Sequence, residues 1–178
     1  LAIPFDQHRL DRLMDEAVID VVLATSKHNV QYLLGGHRAD FFDYMYATGI
    51  TRYLPVLVYP KGAPEKAAYI GHRLEKFQRE LNPMWTPETQ TNTWGTVDAM
   101  QKAVDHMRKI GLKPKRIAAE FGFLPYDASQ VLRTAFPDAE WVDALYVLER
   151  QRVKKSAEEL KLLKYASEAV IDSMQAVI

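Results

Sequence analysis

Asp40 and Asp43 stand three residues apart, and Glu168 and Asp172 stand one helical turn apart, spacings that a divalent cation or an acid and base pair could use. A hydrolytic metal centre, however, needs several carboxylates or imidazoles converging on one point. His8, His28, His37, His72 and His106 are scattered singly, and neither H-E-x-x-H nor H-x-H occurs. Both acidic pairs therefore read as solvated surface. Ser26, followed by Lys27 and His28, sets a hydroxyl beside an imidazole, but its place at a strand-to-helix turn reads as a cap. With no cysteine there is no thiol nucleophile, thiolate zinc site or disulfide. G-x-S-x-G, the P-loop and G-x-G-x-x-G are also absent, so neither a nucleophile elbow nor a phosphate cradle is signalled.

One cluster remains. Phe41, Phe42, Tyr44, Tyr46 and Tyr53 lie close in sequence to Arg38 and Arg52. Such a loop either folds onto its own sheet or forms a contact surface, because aromatic rings and Arg carry binding energy where a partner desolvates them.

The elements that must carry these residues follow from periodicity. Leu10, Leu13, Met14 and Ala17 recur at helical spacing behind Asp6, an N-cap. "VIDVVLATS" reads as a buried strand, and Ser26 caps a short helix that stops at Gly35-Gly36. Residues 37–51 show no steady period and read as a long aromatic loop. "RYLPVLVYP" and "KAAYIG" predict two strands joined by a Gly/Pro turn, with Pro55 placing the first near an edge or a bulge. A short helix follows at 73–81, then a Pro- and Thr-rich stretch with room for one strand. Val97, Met100, Val104 and Met107 mark a helix ending at Gly111. "KRIAAEF", "YDASQVLRTAF" and "AEWVDA" read as strand, helix and strand. The expected fold class is α/β: a mixed β-sheet flanked by helices on both faces, followed by one long C-terminal helix.

That last helix begins with S-x-x-E, Ser156 and Glu159, the reciprocal capping box. Leu160, Leu163, Ser167, Val170, Met174 and Val177 then form a stripe, with Ala166, Ala169 and Ser173 small enough for another backbone to approach. No sequence follows for it to pack against, so it either folds back on its own domain or lacks its partner. The charged stretch Gln151–Ser156 suggests a boundary, with one domain over 1–150 and a linker plus helix over 151–178.

Composition narrows the partners. Lys plus Arg (23) balance Asp plus Glu (23), so no net field favours nucleic acid or an anionic membrane. The apolar runs "VVLA" and "LPVLVY" fall far short of the roughly 20 residues that span a bilayer. A soluble, cytoplasmic protein is expected. The chain opens on Leu1 rather than Met, which predicts an amino terminus that is trimmed, processed or not fully included in this sequence.

"RVKKSAEELKLLKYA" resembles the passage from the amino-terminal domain into the "pita-bread" catalytic domain of the creatinase, prolidase and aminopeptidase P superfamily. Arg152, Lys155, Ser156, Glu159, Leu162, Leu163 and Ala166 match its R-x-x-K-S-x-x-E, paired leucines and alanine. Asp20, Asn29, Tyr32, Leu33 and Gly35 match the D-x-x-L/V and N-x-x-Y-L-x-G of its opening segment. "YLPVLVYPKGAPEKAAYI" is similar to the family's next hairpin, and "RIAAEFGFLPYDASQVLRTAFPDAEWVDA" to its closing strand, helix and strand. The 37–51 loop is longer than in many relatives.

The resemblance implies a non-catalytic amino-terminal domain of a metal-dependent Xaa-Pro peptidase, acting in subunit contact and active-site covering. It implies a homodimer and a missing C-terminal catalytic domain. There two divalent ions (manganese, cobalt or zinc) would sit on two Asp, one His and two Glu that have no counterpart here; this chain itself needs no cofactor. It also implies that Arg52, with Phe41 or Phe42 and with His37, reaches across to the neighbouring subunit's peptide or small-molecule substrate. The alternatives are the corresponding domain of a creatinase-like C–N hydrolase and a self-contained α/β interaction module dimerising through its last helix.

Overall fold

The computed structural model describes residues 2–37, 53–81 and 83–177. Arg38, Asp40, Phe41, Phe42, Asp43, Tyr44, Tyr46 and Arg52 lie outside them. The helices are α1 (Gln7–Glu16), α2 (Lys27–Leu33), α3 (Lys76–Leu81), α4 (Thr96–Lys109), α5 (Tyr126–Ala135), α6 (Leu145–Val153) and α7 (Ala157–Gln175). The strands are β1 (Val21–Ala24), β2 (Val56–Pro60), β3 (Ala68–His72), β4 (Glu88–Thr93), β5 (Arg116–Ala119) and β6 (Glu140–Asp143).

Local chemistry sets the ends of several helices. The Asp6 carboxylate accepts from the Arg9 amide at 2.9 Å, and the Ser26 hydroxyl from the Asn29 amide at 3.2 Å, each satisfying a donor that a helix start leaves open. Past α2, Gly35 has φ +71°, and a Cβ there would come within 2.8 Å of the Pro4 Cβ, so conformation and space both require glycine. After α1 the same left-handed position is held by Val18 at φ 54°, a β-branched residue with its side chain exposed. Val18→Gly is therefore expected to raise stability by about 1 kcal/mol, read as a higher denaturation midpoint; an unchanged or lower midpoint would show that the strain is absent.

The strands form one sheet in the order β4-β3-β2-β1-β5-β6. β2 runs against both of its neighbours, whereas β1 with β5, β5 with β6 and β3 with β4 are parallel. Among the described strands all but β2 thus point the same way. The edge position expected from Pro55 is not observed: β2 lies inside the sheet, and Pro55 precedes its first residue, so no ladder donor is lost. The polar stretch "ETQTNT" forms the edge strand β4, where β-branched threonines alternate at the sheet margin.

Side chains alternate between the two faces as the pleat requires. Val22, Ala24, Leu57, Tyr59, Tyr69 and Ala118 meet α1, α2 and α6 through Leu10, Met14, Leu33 and Val147. On the other face Val21, Leu23, Val56, Val58, Ile70 and Ile117 meet α4 and α5 through Met100, Val104, Met107 and Leu132. Each large apolar side chain so buried contributes about 1.5–3 kcal/mol. The sheet is therefore covered on both faces, as the strand and helix alternation predicts.

α6 was not foreseen. Leu145, Tyr146, Val147 and Leu148 are consecutive rather than spaced as one stripe, and only the register against α1 selects Val147, Leu148 and Gln151 for burial. It crosses the expected 150/151 division. α7 begins at Ala157 behind the predicted box: the Ser156 hydroxyl accepts from the Glu159 amide at 3.2 Å, and the Glu159 carboxylate from the Ser156 amide at 2.7 Å. No residue of α7 is buried. Its stripe of Leu160, Leu163, Val170 and Met174 faces solvent, so the option in which it folds back onto the sheet is not taken.

Candidate functional site

Because all strands but β2 are codirectional, their carboxyl ends and the start of β2 share one margin, the edge where open α/β sheets bind ligands. Two carboxylates are buried there, Glu75 at 0% exposure and Glu120 at 2%. Burying a carboxylate costs several kcal/mol unless donors surround it, and each of these has its own set.

Glu120 ends the β5 segment and turns toward the start of α2. One of its oxygens accepts from the Thr25 amide at 2.6 Å and the Ser26 amide at 2.8 Å, and the other from Asn29 Nδ2 at 2.6 Å. The Asn29 carbonyl oxygen accepts in turn from Arg152 Nη1 at 2.8 Å, just before the chain enters α7. One line of polar contacts therefore joins β5, α2 and the exit to the last helix. Ser26 Oγ lies 3.3 Å from His28 Nε2, but Ser26 is 1% exposed and serves as the cap. No substrate can reach that hydroxyl, so the capping role stands.

Glu75 follows β3. Its Oε1 accepts from the Tyr53 hydroxyl at 2.9 Å and the His72 amide at 2.6 Å, and its Oε2 from the Tyr69 hydroxyl at 2.5 Å. Burial pushes both phenols well above the usual tyrosine range; Glu75 adds to this for both, and Tyr69 does so for Tyr53. Both stay protonated and donate. Each hydroxyl has one proton, so the 3.3 Å approach between Tyr53 and Tyr69 is a contact rather than a third donor bond. His37 is buried, with Nε2 3.6 Å from Glu75 Oε2, and its ring is tilted edgewise to Tyr69.

His72 lies beside this cluster, accepting through Nδ1 from the Leu74 amide at 3.3 Å and packing against Trp94, over whose ring Arg73 stacks at 3.9 Å. Burial lowers its pKa from 6.5, Arg73 adding to the effect, while the Glu75 charge and a hydrogen bond with the Trp94 backbone oppose it. On acidification the unfolded chain therefore takes up this proton first. Stability from neutral His72 is present above about pH 6.5 and lost as pH falls through the lowered folded value. Denaturation midpoints measured from about pH 7.5 down to 5 should fall, and His72→Asn, which keeps an acceptor for Leu74, should flatten that fall. An identical pH profile in the variant would refute the assignment.

Each buried carboxylate accepts from three N–H or O–H donors and so can hold chain segments in place. Among the described residues no three His, Asp or Glu side chains are placed to hold one metal ion. Of the residues singled out in sequence, His37 comes to this margin and Tyr53 joins it, whereas Glu168 and Asp172 lie exposed on α7, Glu168 pairing with Lys164 at 3.7 Å. Phe41, Phe42 and Arg52 are outside the described residues. Sequence reading missed Glu75 and Glu120. For Glu120 a signal existed, an acid directly after the buried run "RIAA"; Glu75 in "RLEKF" has no such mark.

A six-stranded mixed sheet with helices on both faces, polar anchors along one margin and a trailing capped helix places the described residues in the class of α/β domains. The model of the Creatinase/Prolidase N-terminal domain matches residues 7–154, and the chain belongs to that family. Among solved structures it is similar to the Xaa-Pro dipeptidase from Bacillus anthracis, with a TM-score of 0.67 and 19% identity over 97% of this chain and 42% of that one. It is also similar to a dipeptidase from Pyrococcus horikoshii OT3, with TM-score 0.70 and 16% identity over 96% of this chain and 43% of that one. A third likeness is to the N-terminal domain of cytoplasmic peptidase PepQ from Mycobacterium tuberculosis H37Rv, at TM-score 0.56 and 16% identity, covering 82% of this chain and 97% of that one. This chain thus spans less than half of the first two relatives. No curated protein matches it significantly.

Proposed function

We propose that the chain is the non-catalytic amino-terminal domain of a metal-dependent Xaa-Pro peptidase, residues 1–150 forming that domain and 151–178 the linker and first helix of a catalytic domain. The observation that supports this most is the apolar side of α7, uncovered along its length and placed directly after the family-matched stretch. An apolar stripe that long invites a cover. The alternative module dimerising through α7 draws on the same face, but it leaves unexplained why the full-length relatives continue past this point.

In this reading the two divalent ions, manganese, cobalt or zinc, belong to downstream residues, and the buried Glu75 and Glu120 serve as acceptors for N–H and O–H donors within the domain. The domain's own work is subunit contact in a cytoplasmic homodimer, partial covering of the neighbour's active site and restriction of substrate size. Arg52, with Phe41 or Phe42, would contact the substrate across subunits, with His37 held at the base of the same segment.

The test is hydrolysis of an Xaa-Pro dipeptide by the full-length gene product supplied with each metal in turn, beside the 178-residue chain. Activity in the former and none in the latter is expected. Activity in the short chain, or a creatine-type C–N substrate as the only one turned over, would overturn the reading. Within an active full-length enzyme, an unchanged KM in Arg52→Ala would remove Arg52 from the substrate contact.

A further inference from the structure

α7 buries none of its residues, and neither apolar cluster of the body includes one of them, so packing does not fix the direction in which this helix leaves. The direction has to come from the junction before it. We propose that Arg152, held by Asn29 and Glu120, is a positioning residue that completes a three-point anchor on residues 150–152 and so sets the course of α7 relative to the sheet. That the same anchor orients a catalytic unit rests on the functional reading above.

Three consecutive residues at the end of α6 are each gripped by a different part of the body. The Arg9 guanidinium on α1 donates to the Arg150 carbonyl through Nε at 3.2 Å and Nη2 at 2.8 Å. Gln151, 1% exposed, donates through Nε2 to the carbonyl of Asp6, the residue that caps α1, at 3.0 Å. Arg152 donates through Nη1 to Asn29 Oδ1 on α2 at 2.8 Å. One contact leaves a helix end free to pivot, two leave it free to turn about the line that joins them, and a third off that line fixes it. Arg9 and Asp6 both belong to the start of α1, so the contact with Asn29 is the one that completes the set. The Asn29 amide is itself oriented. It is buried, and its Nδ2 donates to Glu120 Oε1 at 2.6 Å. A carboxylate accepts and a guanidinium donates, so an amide between the two has one favourable orientation. The other Glu120 oxygen accepts from the Thr25 and Ser26 amides, which ties this reference to the sheet at β1 and β5. Beyond Arg152 only Val153, Lys154 and Lys155 precede the Ser156 cap, and Lys155 Nζ donates back to the Arg152 carbonyl. Past the cap, a cleft lined by Pro4, His28, Tyr32, Gly36 and Leu162 lies between α2 and the first turns of α7, so the anchor rather than side-chain packing carries the helix.

The chain has no cysteine, so Glu16→Cys on α1 and Asp172→Cys on α7, both exposed, take one spin label each, and the distance between the labels reads the course of α7. The labelled chain is diluted with unlabelled chain so that only pairs within one molecule contribute. A single narrow distance peak is expected. Arg152→Met keeps an unbranched stem without the donors, and the ratio of pairs outside that peak to pairs within it should grow about tenfold or more, as the loss of one charge-assisted hydrogen bond allows. A second pair within the body, Glu16→Cys and Gln130→Cys, should keep its distance in the same variant. A distribution that is already broad with Arg152 in place overturns the proposal. So does an Arg152→Met peak equal to that of the parent chain, even with a lowered denaturation midpoint, because that is the result of a merely structural contact. Broadening of both label pairs marks general loosening and also overturns it. Should Arg152→Met fail to fold, Arg9→Met removes the donors on the Arg150 carbonyl and should broaden the α7 distances alone; an unchanged peak there is equally decisive against the anchor. None of these readings requires a peptidase, so failure of the functional reading leaves the test of the anchor intact, and failure of the anchor leaves that reading to its own assay.

Discussion

Glu120→Ala lowers the stability of this chain by about 3–5 kcal/mol, because three donors lose their acceptor at once, each left unsatisfied in the interior at a cost of about 1–3 kcal/mol and partly relieved by water entering the vacated space. Those donors are the amides of Thr25 and Ser26 and the side chain of Asn29. For a chain of this size the loss corresponds to a fall of roughly 6–20 °C in the thermal midpoint, measurable by circular dichroism. Glu120→Gln should fall between the two, since its amide oxygen can still serve two of the donors. The effect should also reach beyond α2: Asn29 loses the partner that orients it, and with it the oxygen that receives Arg152. A midpoint within about 1 kcal/mol of wild type in the alanine variant would show that the carboxylate is not the organising acceptor.

Leu163→Asp should have very unequal consequences in two contexts. In the 178-residue chain Leu163 is 51% exposed, and a charge there should change stability by no more than about 0.5 kcal/mol. In the full-length protein, with α7 packed against a catalytic domain, the same substitution buries an unpaired carboxylate and should cost about 3–5 kcal/mol. Urea denaturation of both forms measures the difference directly. Equal tolerance would mean that no downstream domain covers this face. Conversion of a dimer of the short chain into monomers by the same change, seen in sedimentation, would favour the self-contained module.

Much of this architecture is legible without coordinates. The caps at Asp6, Ser26 and Ser156, the stop at Gly35 and the starts of α1, α2 and α7 involve residues within four positions of each other, so their chemistry is written locally. The hairpin of β2 and β3 announces itself through two apolar runs and a Gly/Pro turn. α6 is the exception among the helices: four consecutive apolar residues carry no period, and contact with α1 decides which of them go inside.

The candidate site was far less legible. His37 and Tyr53 attract attention as members of an aromatic stretch, but nothing nearby in sequence links them to Glu75, and Tyr69 reads as one more strand residue. Glu75 and Glu120 look like two of many surface acids until the fold encloses them.

From its residues alone this protein is determined as an α/β chain with a capped, amphipathic tail, because periodicity, capping and turn chemistry act over a few residues, and the order of its motifs resembles that of the creatinase and prolidase family. Only the tertiary structure decides that β2 is, among the described strands, the one that is reversed, that Pro55 stays clear of the ladder and that Glu75 and Glu120 become buried anchors. A carboxylate can be interior only where donors surround it, and here they arrive from 22 positions away at Tyr53 and 95 at Thr25. Such partners meet only when the sheet brings its strand ends to one margin.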